Sequence, residues 1–123
     1  MNHTLLVRQC LEWLAMNRIP AIETKTGTAW VEDRPISYGH VGMADIHAIP
    51  RGLLVAIEAK VGKDKQRPKQ KTYERIIRRH GAVYLIVQDT VDHLAEQMQT
   101  LVFPETRLCG ERVFVPASPA SAT

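Results

Sequence analysis

The sequence predicts an α/β domain built on a central mixed sheet flanked by helices, and three observations carry that expectation. Leu53–Lys60 and Ala82–Val87 are nearly continuous apolar runs of strand length, the pattern of strands buried on both faces. Segments of helical spacing stand before, between and after these runs. The chain of 123 residues has the length of one domain and can bury a core without a disulfide or a metal.

Taken in order, Thr4 to Arg18 repeats apolar side chains at Leu6, Cys10, Trp13 and Leu14, a helical period that Pro20 closes. A short extended piece follows at Ala21–Lys25, then a loop from Gly27 to Gly42 rich in Gly, Pro, Ser and Asp. Ala44–Ile49 reads as a strand, Pro50-Arg51-Gly52 as a tight turn, and Leu53–Lys60 as the second strand of a hairpin. Val61–Pro68 is a basic loop. A helix from Lys69 to His80 packs through Tyr73, Ile76 and Ile77 and stops at Gly81. After the strand Ala82–Val87, Asp89 or Thr90 caps a last helix with Val91, Leu94, Ala95, Met98 and Leu101 on one face. Leu108–Val115 is a candidate edge strand. The expected domain spans residues 1–115, and 116–123 form a Pro/Ala/Ser tail of flexible composition.

Composition excludes several classes. No apolar run approaches a membrane span. Arg8, Glu12 and Arg18 break any signal-peptide layout, and Cys10 and Cys109 make neither a disulfide framework nor a zinc pair. A reduced, cytoplasmic protein is expected. There is no Gly-rich phosphate loop, no nucleophile elbow and no Cys/His nucleophile pair, so no small-molecule cofactor is expected. The net charge of +3 is unevenly spread. From Lys60 to His80 nine bases face two acids, while the rest of the chain has seven bases and eleven acids. Such an excess suits a phosphate backbone, whose condensed counterions Lys and Arg displace. It equally suits a solvated helix face.

Chemistry is suggested by where acids interrupt apolar strands. A hairpin sets the start of one strand beside the end of the other, which brings Asp45 near Glu58. Glu58 and Lys60, two residues apart, project from one face. Two carboxylates and a lysine at the mouth of a buried sheet are costly to desolvate unless they bind something, and a divalent cation relieves the repulsion of the acids. The alternative is an ion pair between Glu58 and Lys60, with Asp45 at a solvated strand end.

Asp45, then Glu58-Ala59-Lys60 on a hairpin, resembles the PD-(D/E)xK signature of restriction-endonuclease-like nucleases, with Ala44 where the name motif has proline. Gly42 before Asp45, the Gly52 turn, a basic loop, Gln70 and Gly81 extend the resemblance to the VRR-NUC branch over about Asn2 to Thr100. The resemblance implies an α-β-β-β-α-β core. It implies Asp45, Glu58 and the Ala59 carbonyl as metal ligands, Lys60 as the catalytic lysine, Gln70 beside the metal and substrate phosphate, and Glu12 as a further carboxylate ligand. The cofactor it implies is Mg²⁺, with Mn²⁺ able to substitute. The activity it implies is hydrolysis of DNA phosphodiester bonds, on branched DNA such as four-way junctions or flaps, by a homodimer in a bacterial or phage-infected cell.

Lys63, Lys65, Arg67, Lys69, Lys71, Arg75, Arg78 and Arg79 are the expected grip on the DNA backbone, a contact that positions without reading bases. His47 and Tyr73 are assigned to packing, His80 to a helix end, and His3, Glu23 and the Glu32–Asp33 pair to solvent; His40 has a comparable structural explanation. Trp30 and Tyr38 are read as anchors of the loop before Asp45. The competing functions are a non-catalytic nucleic-acid-binding module and a nuclease-fold subunit that requires a partner.

Overall fold

The computed structural model describes residues 1–25, 27–38 and 41–103. The expected edge strand at Leu108–Val115, Cys109, the tail, His40 and the side chain of Tyr38 lie outside this description. The chain runs α1 (His3–Met16), β1 (Ala21–Glu23), β2 (Gly27–Val31), β3 (Arg34–Tyr38), β4 (Ile46–Ala48), β5 (Val55–Lys60), α2 (Pro68–Arg79), β6 (Val83–Gln88) and α3 (Val91–Gln99). The main sheet has the order β1-β4-β5-β6. β1 and β5 pair antiparallel to β4, and β6 pairs parallel to β5 after the α2 crossover. This is the expected mixed sheet. Its elements reproduce α-β-β-β-α-β, with α3 appended.

One expectation is corrected. The segment read as a loop from Gly27 to Gly42 contains a separate two-stranded hairpin, β2 against β3, in register from Gly27↔Tyr38 to Val31↔Arg34. Its two-residue turn puts Glu32 at φ 47° and Asp33 at φ 63°. That conformation normally calls for Asn or Gly, which is why the turn does not announce itself in the sequence. Trp30 on this hairpin is 71% exposed, so it does not anchor the segment to the core.

Alternation along the strands divides the interior into two layers. Val55, Ile57 and Ala59 of β5 face α1 and α3, joining Leu6, Val7, Cys10, Leu14, Leu94 and Met98. Ala56 faces the other way, toward Tyr73 of α2 and Tyr84 of β6. Every residue of β5 is buried, as its apolar run predicts. Glu58 and Lys60 share the parity of Ala56 and therefore enter the α2 layer.

The helix ends follow local chemistry. Asn2 caps α1 by accepting the Leu5 N–H at 2.8 Å. The Gln70 side-chain oxygen Oε1 reaches back to accept the Arg67 N–H at 2.8 Å, closing the first turn of α2. Gly81, at φ 90°, ends that helix where the sequence places its stop. Thr90 precedes α3 without a side-chain cap.

Candidate active site

The β4–β5 register pairs Ile46 with Ile57, so one further step sets Asp45 opposite Glu58. The turn joining the strands is a 3-10 segment, Pro50–Gly52, with Arg51 and Gly52 at positive φ. Asp45 stands in the bend before β4, where its Oδ2 accepts the Ala59 N–H at 2.8 Å. Ala59 thus directs its backbone to the β4 edge. The Lys60 carbonyl accepts the Asp89 N–H on the β6 side, so strand alternation turns the Ala59 carbonyl toward Asp45 as well.

Glu58 is 2% exposed and Lys60 is 7% exposed. Gln70 joins them: Lys60 Nζ donates to Gln70 Oε1 at 3.0 Å, and Gln70 Nε2 donates to Glu58 Oε1 at 3.1 Å. Lys60 Nζ also lies 3.7 Å from Glu58 Oε1. The Tyr84 hydroxyl donates to Glu58 Oε2 at 3.3 Å. Burial and the Asp45 carboxylate push the Glu58 carboxyl up to about 8, against the pull of Lys60 and Tyr84. Burial likewise raises the Tyr84 hydroxyl, which keeps it a donor.

Asp45, Glu58, the Ala59 backbone, Lys60 and Gln70 are therefore brought together. Glu12 is not. It is exposed on α1, nine residues beyond His3, roughly 13 Å along the axis and on the opposite face. His3 lies closer to the pair than Glu12 does: it is exposed, as expected, yet it also contacts Asp45. Its Nε2 lies 3.1 Å from Asp45 Oδ2, and one donor atom each from His3, Asp45 and Glu58 fall within 4.8 Å of one another. Two signals mark these missed groups. His3 begins the stripe continued by Val7, Cys10 and Leu14, and Tyr84 shares its sheet face with Glu58.

The donor set fits a divalent cation. Two carboxylates, one almost fully buried and strained toward its neutral form, repel each other until a cation separates their charges. Cys10 is not one of the clustered donors, and burial and then Asp45 push its thiol up to about 11.

A cavity of about 590 Å³ opens beside Asp45 and Gln70, walled by Thr24, Gly42, Arg67 and Lys69 among others. Gly42, at φ 89°, permits the approach of this wall to α2, since a Cβ there would meet the Lys69 carbonyl oxygen at 2.4 Å. Lys63, Lys65, Arg67, Lys69, Lys71, Arg75 and Arg79 are exposed. Arg78, though exposed, is committed within the fold, donating to Glu74 Oε2 at 2.8 Å and to the Tyr84 carbonyl at 3.0 Å. His47 is a packed residue as expected, stacked on Tyr73 with a 2.6 Å contact between Nε2 and the hydroxyl.

Among solved structures, a chain described as a VRR_NUC domain superposes with a TM-score of 0.59 at 17% sequence identity, covering 81% of this chain and 97% of that one. This chain has that fold, in agreement with the architecture its motifs imply. No family model matches the sequence, and no curated protein matches it. Among the described residues, no helix is long and apolar enough to cross a membrane.

Proposed function

We propose that the chain is a divalent-metal-dependent nuclease that hydrolyses phosphodiester bonds in DNA. One observation carries the reading: a buried Glu58 beside Asp45, with Lys60 held next to them by the Gln70 amide. A structural ion pair alone does not need the second carboxylate, which raises the cost of ionising the first. Asp45, Glu58 and the Ala59 carbonyl hold Mg²⁺ or Mn²⁺ in this reading. The bound cation supplies Lewis-acid activation and charge neutralisation at the scissile phosphate. Lys60 positions the attacking water and offsets charge on the phosphate, and Gln70 fixes where the lysine points. Tyr84 holds Oε2 of Glu58.

The cavity beside Asp45 admits the phosphate, and the exposed bases of the 63–79 segment grip the flanking backbone. Contacts of that kind select DNA shape rather than sequence, which favours branched substrates such as junctions or flaps. Cutting two symmetry-related strands requires two sites, so action as a homodimer is part of the proposal, as is a cytoplasmic setting in a bacterial or phage-infected cell.

The test incubates the protein with junction, flap and linear DNA, with Mg²⁺ or Mn²⁺ and with EDTA. Wild type is expected to cleave only with metal, while Asp45→Asn, Glu58→Gln and Lys60→Ala bind DNA without cutting it. Binding of every substrate with no metal-dependent cleavage overturns the nuclease reading in favour of a binding module.

A further inference from the structure

We infer that His3 is a direct nitrogen ligand of the cation seated by Asp45 and Glu58, and that it makes the site prefer first-row transition cations such as Mn²⁺ over Mg²⁺. The inference rests on the reading of the two carboxylates as a cation seat and adds the identity of a third ligand and the class of metal.

Geometry is the first support. The three donor atoms lie within 4.8 Å of one another. Bonds of roughly 2.0–2.3 Å to one cation put its ligands about 3–4.5 Å apart, so a single ion spans such a set.

The second support is that Asp45 does not need His3 as an orienting partner. Its Oδ2 is already held at 2.8 Å by the Ala59 N–H, a backbone donor fixed in a fully buried strand. The imidazole is an additional group aimed at an oxygen whose position is set without it.

The third support is rigidity. His3 lies in the first turn of α1, whose Val7, Cys10 and Leu14 are locked into the core, and Asn2 caps that turn. The nitrogen is thus presented from a packed element, while the side chain remains 46% exposed and leaves the cation a way in. Two carboxylates and one neutral imidazole also balance a doubly charged ion.

Ligand chemistry then sets the preference. Mg²⁺ is a hard ion that takes oxygen ligands and retains its waters, whereas first-row transition cations accept imidazole readily. A site with only Asp45, Glu58 and the Ala59 carbonyl has no reason to exclude Mg²⁺. An imidazole in that set does.

The experiment titrates untagged wild type, His3→Ala, His3→Gln and Asp45→Asn with Mn²⁺ and with Mg²⁺ by calorimetry, and records pulsed EPR of the Mn²⁺ complexes. Wild type is expected to bind Mn²⁺ more tightly than Mg²⁺ and to show a ¹⁴N coupling. His3→Ala is expected to lose that coupling and to bind Mn²⁺ at least roughly tenfold more weakly, the loss seen even for outer-shell partners, with little change for Mg²⁺.

His3→Gln keeps a side-chain N–H near Asp45 but offers no ring nitrogen, so it should behave as His3→Ala does. Wild-type Mn²⁺ affinity in His3→Gln, or no ¹⁴N coupling in wild type, overturns the role of His3. If wild type binds neither ion, or Asp45→Asn binds both unchanged, the cation seat itself is wrong, which is a separate failure.

Discussion

Glu58 makes the stability of the metal-free protein depend on pH in a direction opposite to that of most carboxylates. Its carboxyl is raised from 4.5 to about 8, first by burial and then by Asp45. The native state therefore keeps a proton that the unfolded chain has already released. The stabilisation is complete below the unfolded value and is lost as pH rises through about 8. His47, lowered by burial, acts the other way below its ordinary 6.5, and the buried Cys10 adds a loss only above its ordinary 9.0. The clean window lies between about pH 6.5 and pH 8.5. Across it, one such group removes about 2 kcal/mol from the unfolding free energy, at 1.36 kcal/mol per unit of pH while the proton stays bound.

Urea denaturation in EDTA at several pH values in this window reads the effect directly. Wild type should lose about 2 kcal/mol, and Glu58→Gln, which keeps the shape and removes the ionisation, should show a flat profile. Saturating Mn²⁺ should flatten the wild-type profile too, because the cation binds the ionised carboxylate. A wild-type midpoint that stays level or rises with pH in EDTA refutes the reasoning, as does an unchanged slope in Glu58→Gln.

Further outcomes follow from other contacts. Gln70→Ala removes the bridge between Glu58 and Lys60 and the return bond to Arg67, so denaturation should show a loss of roughly 1–3 kcal/mol, with cleavage falling further than DNA affinity. Gly42→Ala sets a methyl against the Lys69 carbonyl at positive φ; melting should report a destabilisation of about 1–3 kcal/mol. Arg75→Ala should lower the salt slope of DNA binding by about one, whereas Arg78→Ala, which breaks the ties to Glu74 and Tyr84, should mainly lower stability. Glu12→Gln should leave Mn²⁺ affinity unchanged in calorimetry, since that carboxylate lies on the far face of α1.

Much of the site was legible because its residues sit close together in the chain. Asp45, Glu58, Lys60 and Gln70 belong to one hairpin and the start of the next helix, so a turn at Pro50-Arg51-Gly52 and two-residue alternation suffice to converge them. His3 was not legible in that way. Its contact with Asp45 spans 42 residues, and whether a helix aims its first or third turn at a sheet is settled by packing, not by local pattern. A motif that expects a carboxylate points to Glu12, whereas the buried stripe of α1 runs through Val7 and Cys10 toward position 3. The β2–β3 hairpin is hidden in the sequence because Glu-Asp fills a turn that normally takes Asn or Gly, and because Pro35 lies within a strand. Tyr84 lay inside an apolar run that spoke only of burial; its hydroxyl acquires a role when the parallel register sets Ala56 beside it and Glu58 one step along the same face.

The bend at Asp45 interrupts hydrogen bonding between β4 and β5 at an informative point. Had the ladder continued, its register would have offered the Ala59 N–H to the Ala44 carbonyl. That carbonyl instead accepts the Thr24 hydroxyl, and a carboxylate oxygen of Asp45 completes the pairing. A side chain here does the work of main chain. The aspartate inherits the positional accuracy of a β-ladder while its second oxygen stays uncommitted to that bond, so the protein obtains a stiff acidic group without building a dedicated scaffold around it.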